Sequence, residues 1–98
     1  MNPHILMAID NQMNPDKYTL DELKAAAAYA YSAYAACHAS YAYADYEGWY
    51  SSRNAAAAAY TAAYGTTVKV TYWLNEYFNY TGENKQDYID AINKLTTK

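Results

Sequence analysis

From Leu20 to Tyr80 the chain contains no proline and two glycines, and alanine and tyrosine make up about half of it. Alanine is the strongest helix former, while proline and glycine are the strongest breakers, so such a stretch is committed to helix. The same composition limits the core. Twenty Ala and 14 Tyr take 34 of the 98 positions, whereas Val, Ile, Leu, Met and Phe together supply 15. Leu, Ile, Val and Phe alone fall to a level seen in disordered chains, but disorder also requires high net charge and few aromatics. With a net charge of −3 and 17% aromatic residues, the chain is expected to fold, as a single helical domain over residues 1–98.

Several classes of function are disfavoured at once. Seven Lys and Arg against 10 Asp and Glu give no basic face with which to displace counterions, which argues against nucleic acid as a partner. The ten carboxylates are too scattered to imitate a DNA backbone. Cys37 is the single cysteine, and Met1-Asn2-Pro3-His4 opens no signal pattern, so a reducing, cytoplasmic location is expected. The uncharged stretches are interrupted by Ser, Thr, Asn and Tyr and are too polar to span a bilayer.

Local signals place the helices. Asn2-Pro3 reads as an N-cap with proline at the first helical position, followed by Ile5, Leu6, Ile9 and Met13, and Asn14-Pro15 ends that first helix. Tyr18-Thr19-Leu20-Asp21-Glu22-Leu23 has the spacing of a capping box with a hydrophobic staple, so a helix starts at Leu20. It runs roughly 28 residues, about 42 Å, to Gly48. Ser51, Ser52 or Asn54 can cap the next. The β-branched run Thr66 to Trp73 has strand propensity. Helical spacing nevertheless puts Ala56, Tyr60, Ala63, Thr67, Val70, Leu74, Tyr77 and Phe78 on one face and Asn54, Lys69, Glu76 and Asn79 on the other. A helix is therefore expected through Gly65 to about Tyr80, stopped by Thr81-Gly82, and a last one capped by Asn84 with Tyr88, Ile89, Ile92 and Leu95 inside. The expected architecture is an all-α hairpin of two long Ala/Tyr-rich helices, with a short helix at each end.

Between Ala25 and Val68 only Asp45, Glu47 and Arg53 carry charge, so both long helices present nearly uncharged surfaces. Two helices cannot bury all of that, and exposed apolar patches mark interfaces, which points to a homo-oligomer or a stoichiometric partner. The contrary reading is a monomer whose tyrosine hydroxyls solvate its outer face. Tyr31, Tyr34, His38 and Tyr41 share one stripe at about 100° per residue, with Tyr29, Tyr43 and Tyr50 behind it. That column would form either a stacking pocket in which His38 donates to a planar ligand or a core histidine satisfied by phenols. Arg53, four residues after Trp49, would either clamp a phosphate or carboxylate at a helix start or pair with Glu47 or lie over Trp49. Cys37 points away from His38 and serves as filler. His4, Cys37, His38 and Asp45 show no metal-ligand spacing, and Gly48, Gly65 and Gly82 form no phosphate loop. No catalytic constellation, metal or cofactor is expected. The candidate partner-binding residues are Tyr29, Tyr31, Tyr34, His38, Tyr41, Tyr43, Trp49, Tyr50 and Arg53.

Trp73-Leu74-Asn75-Glu76-Tyr77-Phe78, then Thr81-Gly82-Glu83 and Asp87-Tyr88-Ile89, following an Ala- and Tyr-rich helical run, resembles small Ala-rich accessory proteins of tailed bacteriophages over residues 55–92. The resemblance carries over no functional residues. It implies a context, the cytoplasm of an infected bacterium, in which small non-enzymatic proteins antagonise host defence or regulatory components. The expectations are accordingly a stoichiometric inhibitor of a host protein, an oligomeric sponge for a small nucleotide-like signalling molecule, or a structural component of a particle.

Overall fold

The computed structural model describes the backbone of residues 1–39 and 46–96 and the side chains of residues 1–35 and 51–95. Among the described residues the chain forms five helices and no strand: α1 (Pro3–Met13), α2 (Leu20–Ala39), α3 (Tyr46–Tyr64), α4 (Thr67–Thr81) and α5 (Lys85–Thr96). None of them is long and apolar enough to cross a membrane.

The helix ends follow local chemistry. The Asn2 side chain accepts from the backbone N–H groups of His4 at 2.9 Å and Ile5 at 3.3 Å, with Pro3 opening α1. Thr19 and Glu22 satisfy each other reciprocally, the Glu22 N–H donating to Thr19 Oγ1 at 3.1 Å and the Thr19 N–H to Glu22 Oε1 at 3.0 Å. Gly82 closes α4 in the left-handed conformation at φ 71°, where a Cβ would be strained, and its N–H donates to the Phe78 carbonyl. Asn84 Oδ1 accepts from the Gln86 N–H at 2.9 Å and starts α5. The β-branched run from Thr66 is helical, as its spacing predicts.

Three differences from the expected hairpin have local causes. The second long helix is two helices, because Gly65 and Thr66 separate α3 from α4. A Cβ on Gly65 would lie 3.0 Å from the Thr61 carbonyl oxygen, so glycine permits this close turn. Thr66, in an extended conformation, accepts from the Lys69 N–H and restarts the helix. Secondly, α3 begins at Tyr46, so Gly48 lies inside it, and Ser51, Ser52 and Asn54 are helix-interior residues, not caps. Thirdly, Asn54, placed by spacing on the outer face, is fully buried, as the turn at Gly65 lets α4 fold back onto α3.

Helix α3 is the hub, touching α1, α2 and α4, while α5 packs on α1. One core combines Ile5, Ala8 and Ile9 of α1, Ala55 and Ala58 of α3, Val70, Leu74 and Tyr77 of α4, and Tyr88 and Ile92 of α5. Leu6, Trp73, Phe78 and Ile89 close its edges. Among the described residues a second core joins Ala27 and Ala30 of α2 to Ala56 and Ala59 of α3, flanked by Tyr34 and Ala63. Leu20, Tyr31 and Tyr60 stand out toward solvent, and Leu95, expected on the inner face of the last helix, is exposed on α5.

Two polar clusters fasten the frame. The Asp10 carboxylate, 3% exposed, accepts from Asn14 Nδ2 at 2.8 Å, Lys17 Nζ at 2.6 Å and the Tyr18 hydroxyl at 2.7 Å, tying the segment before α2 to α1. Burial opposes its ionisation, but the hydrogen bonds from Lys17, Tyr18 and Asn14 and the lysine charge outweigh it and hold the carboxyl below its usual range. Burial and the Asp10 hydrogen bond together push the Tyr18 phenol up to about 12. At the other end, Tyr77 and Tyr88 both donate to Glu83, Tyr77 to Oε2 at 2.9 Å and Tyr88 to Oε1. The Asn2 N–H donates to the Tyr88 oxygen at 3.0 Å and so joins the start of α1 to α5.

Candidate functional site

Tyrosine on an alanine helix cannot be hidden by its neighbours on the same helix, because Ala reaches only one carbon from the backbone. Where two such helices pack through alanine, their tyrosines are displaced to the rims of the contact. This is the arrangement along α2 and α3. The pairings run in opposite senses, with Lys24 meeting Tyr64 and Tyr31 meeting Tyr60, so the two helices lie antiparallel.

Across their seam runs a row of rings. Tyr34 and Tyr31 meet edge to face at 6.5 Å between centroids, Tyr31 and Tyr60 at 5.7 Å with planes at 89°, and Tyr60 and Tyr64 at 4.8 Å with a tilt of 36°. Lys24 Nζ lies 5.6 Å from the centre of the Tyr64 ring and ends the row with a positive charge. Tyr31, Tyr60 and Tyr64 remain 42%, 46% and 54% exposed. Such contacts prefer these tilted and edge-on geometries and hold the rings in place at little entropic cost, since tyrosine has two side-chain torsions to fix.

The candidate residues divide accordingly. Tyr31 and Tyr34 belong to this row, Tyr34 half-buried against the alanine core. Tyr29 stands apart, 71% exposed, its ring 5.6 Å from that of His4, whose imidazole burial holds below its ordinary pKa. Arg53 lies over Trp73 of α4, its guanidinium 5.7 Å from the ring centre; the side chains of Glu47 and Trp49, its expected partners, lie outside the described residues. Tyr41 and Tyr43 lie outside the described residues. His38 falls in α2 and Trp49 and Tyr50 in α3, but their side chains, with that of Cys37, are also outside the described residues. Tyr60 and Tyr64 are the members that spacing along one helix missed. They join the site only through the antiparallel packing of α3 on α2, and their signal in the sequence is the i,i+4 Tyr pair on α3.

Concave features also occur elsewhere in the described residues. A cleft of about 160 Å³ lies between Asn11, Gln12, Thr61, Gly65 and Thr67, and one of about 220 Å³ between Met1, Glu83, Asn84, Asp87 and Tyr88. Both fall below the roughly 300–1,000 Å³ of sites that enclose small molecules. Among the described residues no group of three His, Cys, Asp or Glu side chains could hold a metal ion. Both amide atoms of Asn54 are buried without a hydrogen-bond partner. Comparison of the chain with protein-family models, with curated proteins and with solved structures finds no match.

Proposed function

We propose that the chain is a non-enzymatic binding protein in which α2 and α3, acting as a helical hairpin, present the tyrosine row to a macromolecular partner. The reading is of a phage-type accessory factor, working as a homo-oligomer in the host cytoplasm, that inhibits or sequesters a host defence or regulatory component by stoichiometric occupancy. The observation that carries it is the row itself: four rings in mutual contact, three of them about half exposed, on a surface whose described charge is the terminal Lys24. Tyrosine is enriched at interface hot spots because it offers large contact area together with a polar tip. The bacterial context comes from the resemblance of residues 55–92.

Native mass spectrometry of protein purified from a bacterial host tests this directly. The wild-type chain is expected to run as a defined complex, with itself or with a host protein. The variant carrying Tyr31→Ala, Tyr60→Ala and Tyr64→Ala is expected to run as a bare monomer of unchanged helicity. A wild-type complex that survives all three substitutions places the interface elsewhere. A second reading, a sponge for a nucleotide-like signal, draws on Lys24 beside the Tyr64 ring, a cation next to a stacking surface. It predicts a thermal shift with cyclic nucleotides that Lys24→Ala removes.

A further inference from the structure

Neighbouring rings of the row lie 4.8–6.5 Å apart, and their order has a chemical consequence. Tyr60 and Tyr64 form the closest ring pair of the row, at 4.8 Å, with Tyr31 on the other side of Tyr60 at 5.7 Å, and all three are open to solvent. We propose that Tyr60 and Tyr64 are a site of oxidative modification, at which a one-electron oxidant of the haem-peroxidase class acting with hydrogen peroxide links the two side chains covalently through their rings.

The step balances as follows. Each phenol gives up one electron to the oxidant and one proton to water, leaving two phenoxyl radicals with spin density on the carbons ortho to oxygen. Those carbons join in a new C–C bond, and the hydrogen displaced from each returns to its oxygen, restoring two phenols. The pair has then lost two hydrogen atoms, and one hydrogen peroxide has accepted them to become two waters. The structure supplies proximity, which turns an encounter between two radicals into an intramolecular event. Tyr60 and Tyr64 are one helical turn apart, where side chains face each other, and exposed side chains exchange rotamers in picoseconds to nanoseconds. The rings can therefore turn from their tilted contact to bring ortho carbons together without disturbing α3. Tyr31, edge-on to Tyr60, delivers its oxidising equivalent into the same pair by electron exchange across the ring contact.

Two exposed tyrosines that lie against a ring of another kind serve as internal references. Tyr72 is 54% exposed, and its ring lies 5.0 Å from that of Trp73; Tyr29 is 71% exposed and lies against His4. The test is to expose dilute protein to a haem peroxidase with limiting hydrogen peroxide, follow dityrosine fluorescence, and map the product by tandem mass spectrometry. The expected product is a chain lighter by two hydrogen atoms, with Tyr60 and Tyr64 of the same chain linked. Tyr60→Phe is expected to abolish it, and Tyr72→Phe to leave its yield unchanged, with circular dichroism confirming both folds. A linkage mapped to another pair, a product formed only between chains, or full yield in Tyr60→Phe would overturn the proposal.

Discussion

The two cores of this protein are built from different materials. On the side of α1, α4 and α5, isoleucine, leucine, valine and two buried tyrosines pack around Ala55 and Ala58 of α3. On the side of α2, the described core is four alanines, with half-buried Tyr34 leaning in at the edge. Burying a Leu or Ile side chain contributes about 1.5–3 kcal/mol, against about 0.8 kcal/mol for a single methylene-sized group. The stability of the molecule therefore resides mainly in the first core. The second core contributes closeness: alanine lets the backbones of α2 and α3 approach, and that approach brings the tyrosines of both helices into one row.

Three measurements would break or sharpen this contrast. The largest effect is expected from Leu74→Ala, which removes a fully buried side chain from the first core. A loss of about 2–5 kcal/mol in urea-induced unfolding is expected. A cost well below that would mean that the first core does not dominate. Next comes Ala30→Leu in the second core, where Ala30 is 2% exposed. The added methylenes have no space and should cost about 1–3 kcal/mol. The distinguishing readout is hydrogen exchange, which should rise along α2 and the facing side of α3 while α5 stays protected; a uniform rise would show that the two cores unfold as one unit.

The smallest effect concerns the Glu83 clasp and depends on pH. Burial, reinforced by hydrogen bonding to Glu83, raises the phenols of Tyr77 and Tyr88, so the folded state favours their neutral forms more than the unfolded chain does. An unfolded tyrosine titrates near pH 10, so this stabilisation is fully present below about 10 and is lost as pH climbs through the raised folded values. Tyr18, raised to about 12 beside Asp10, acts in the same direction. Thermal melts should show a falling Tm above about pH 10, and Tyr88→Phe should make that fall shallower while costing about 1–3 kcal/mol at neutral pH. An alkaline limb unchanged by Tyr88→Phe would remove the clasp from the account.

Much of the local structure was legible in the sequence. Asn2 and Pro3, Thr19 with Glu22, Thr81-Gly82 and Asn84 mark helix ends through bonds that span a few residues, so the chain needs no distant partner to form them. The helical spacing of Val70, Leu74 and Tyr77 likewise outweighed the strand propensity around Thr66. Less could be read at Gly65, where a lone glycine is compatible with a loosened helix or a full break, and the choice went to the break because α4 finds α1 and α3 to pack on. The candidate site was half legible: Tyr31 and Tyr34 follow from α2 alone, but Tyr60, Tyr64 and Lys24 required the pairing of two helices.

The sequence alone settles that this chain is helical, where α1, α2 and α5 begin and α1 and α4 end, and that much of its tyrosine has no apolar partner of its own size. Only the tertiary structure decided which tyrosines are core and which are surface. Tyr77 and Tyr88 are 2% and 1% exposed, whereas Tyr29 is 71% exposed. The physical reason lies in alanine. A helix of alanine is nearly equally apolar around its whole circumference, so its own pattern cannot say which face a neighbour will cover. That face is chosen by the bulky residues of α1, α4 and α5, by the turn at Gly65, and by the carboxylates of Asp10 and Glu83 that hold the ends in place.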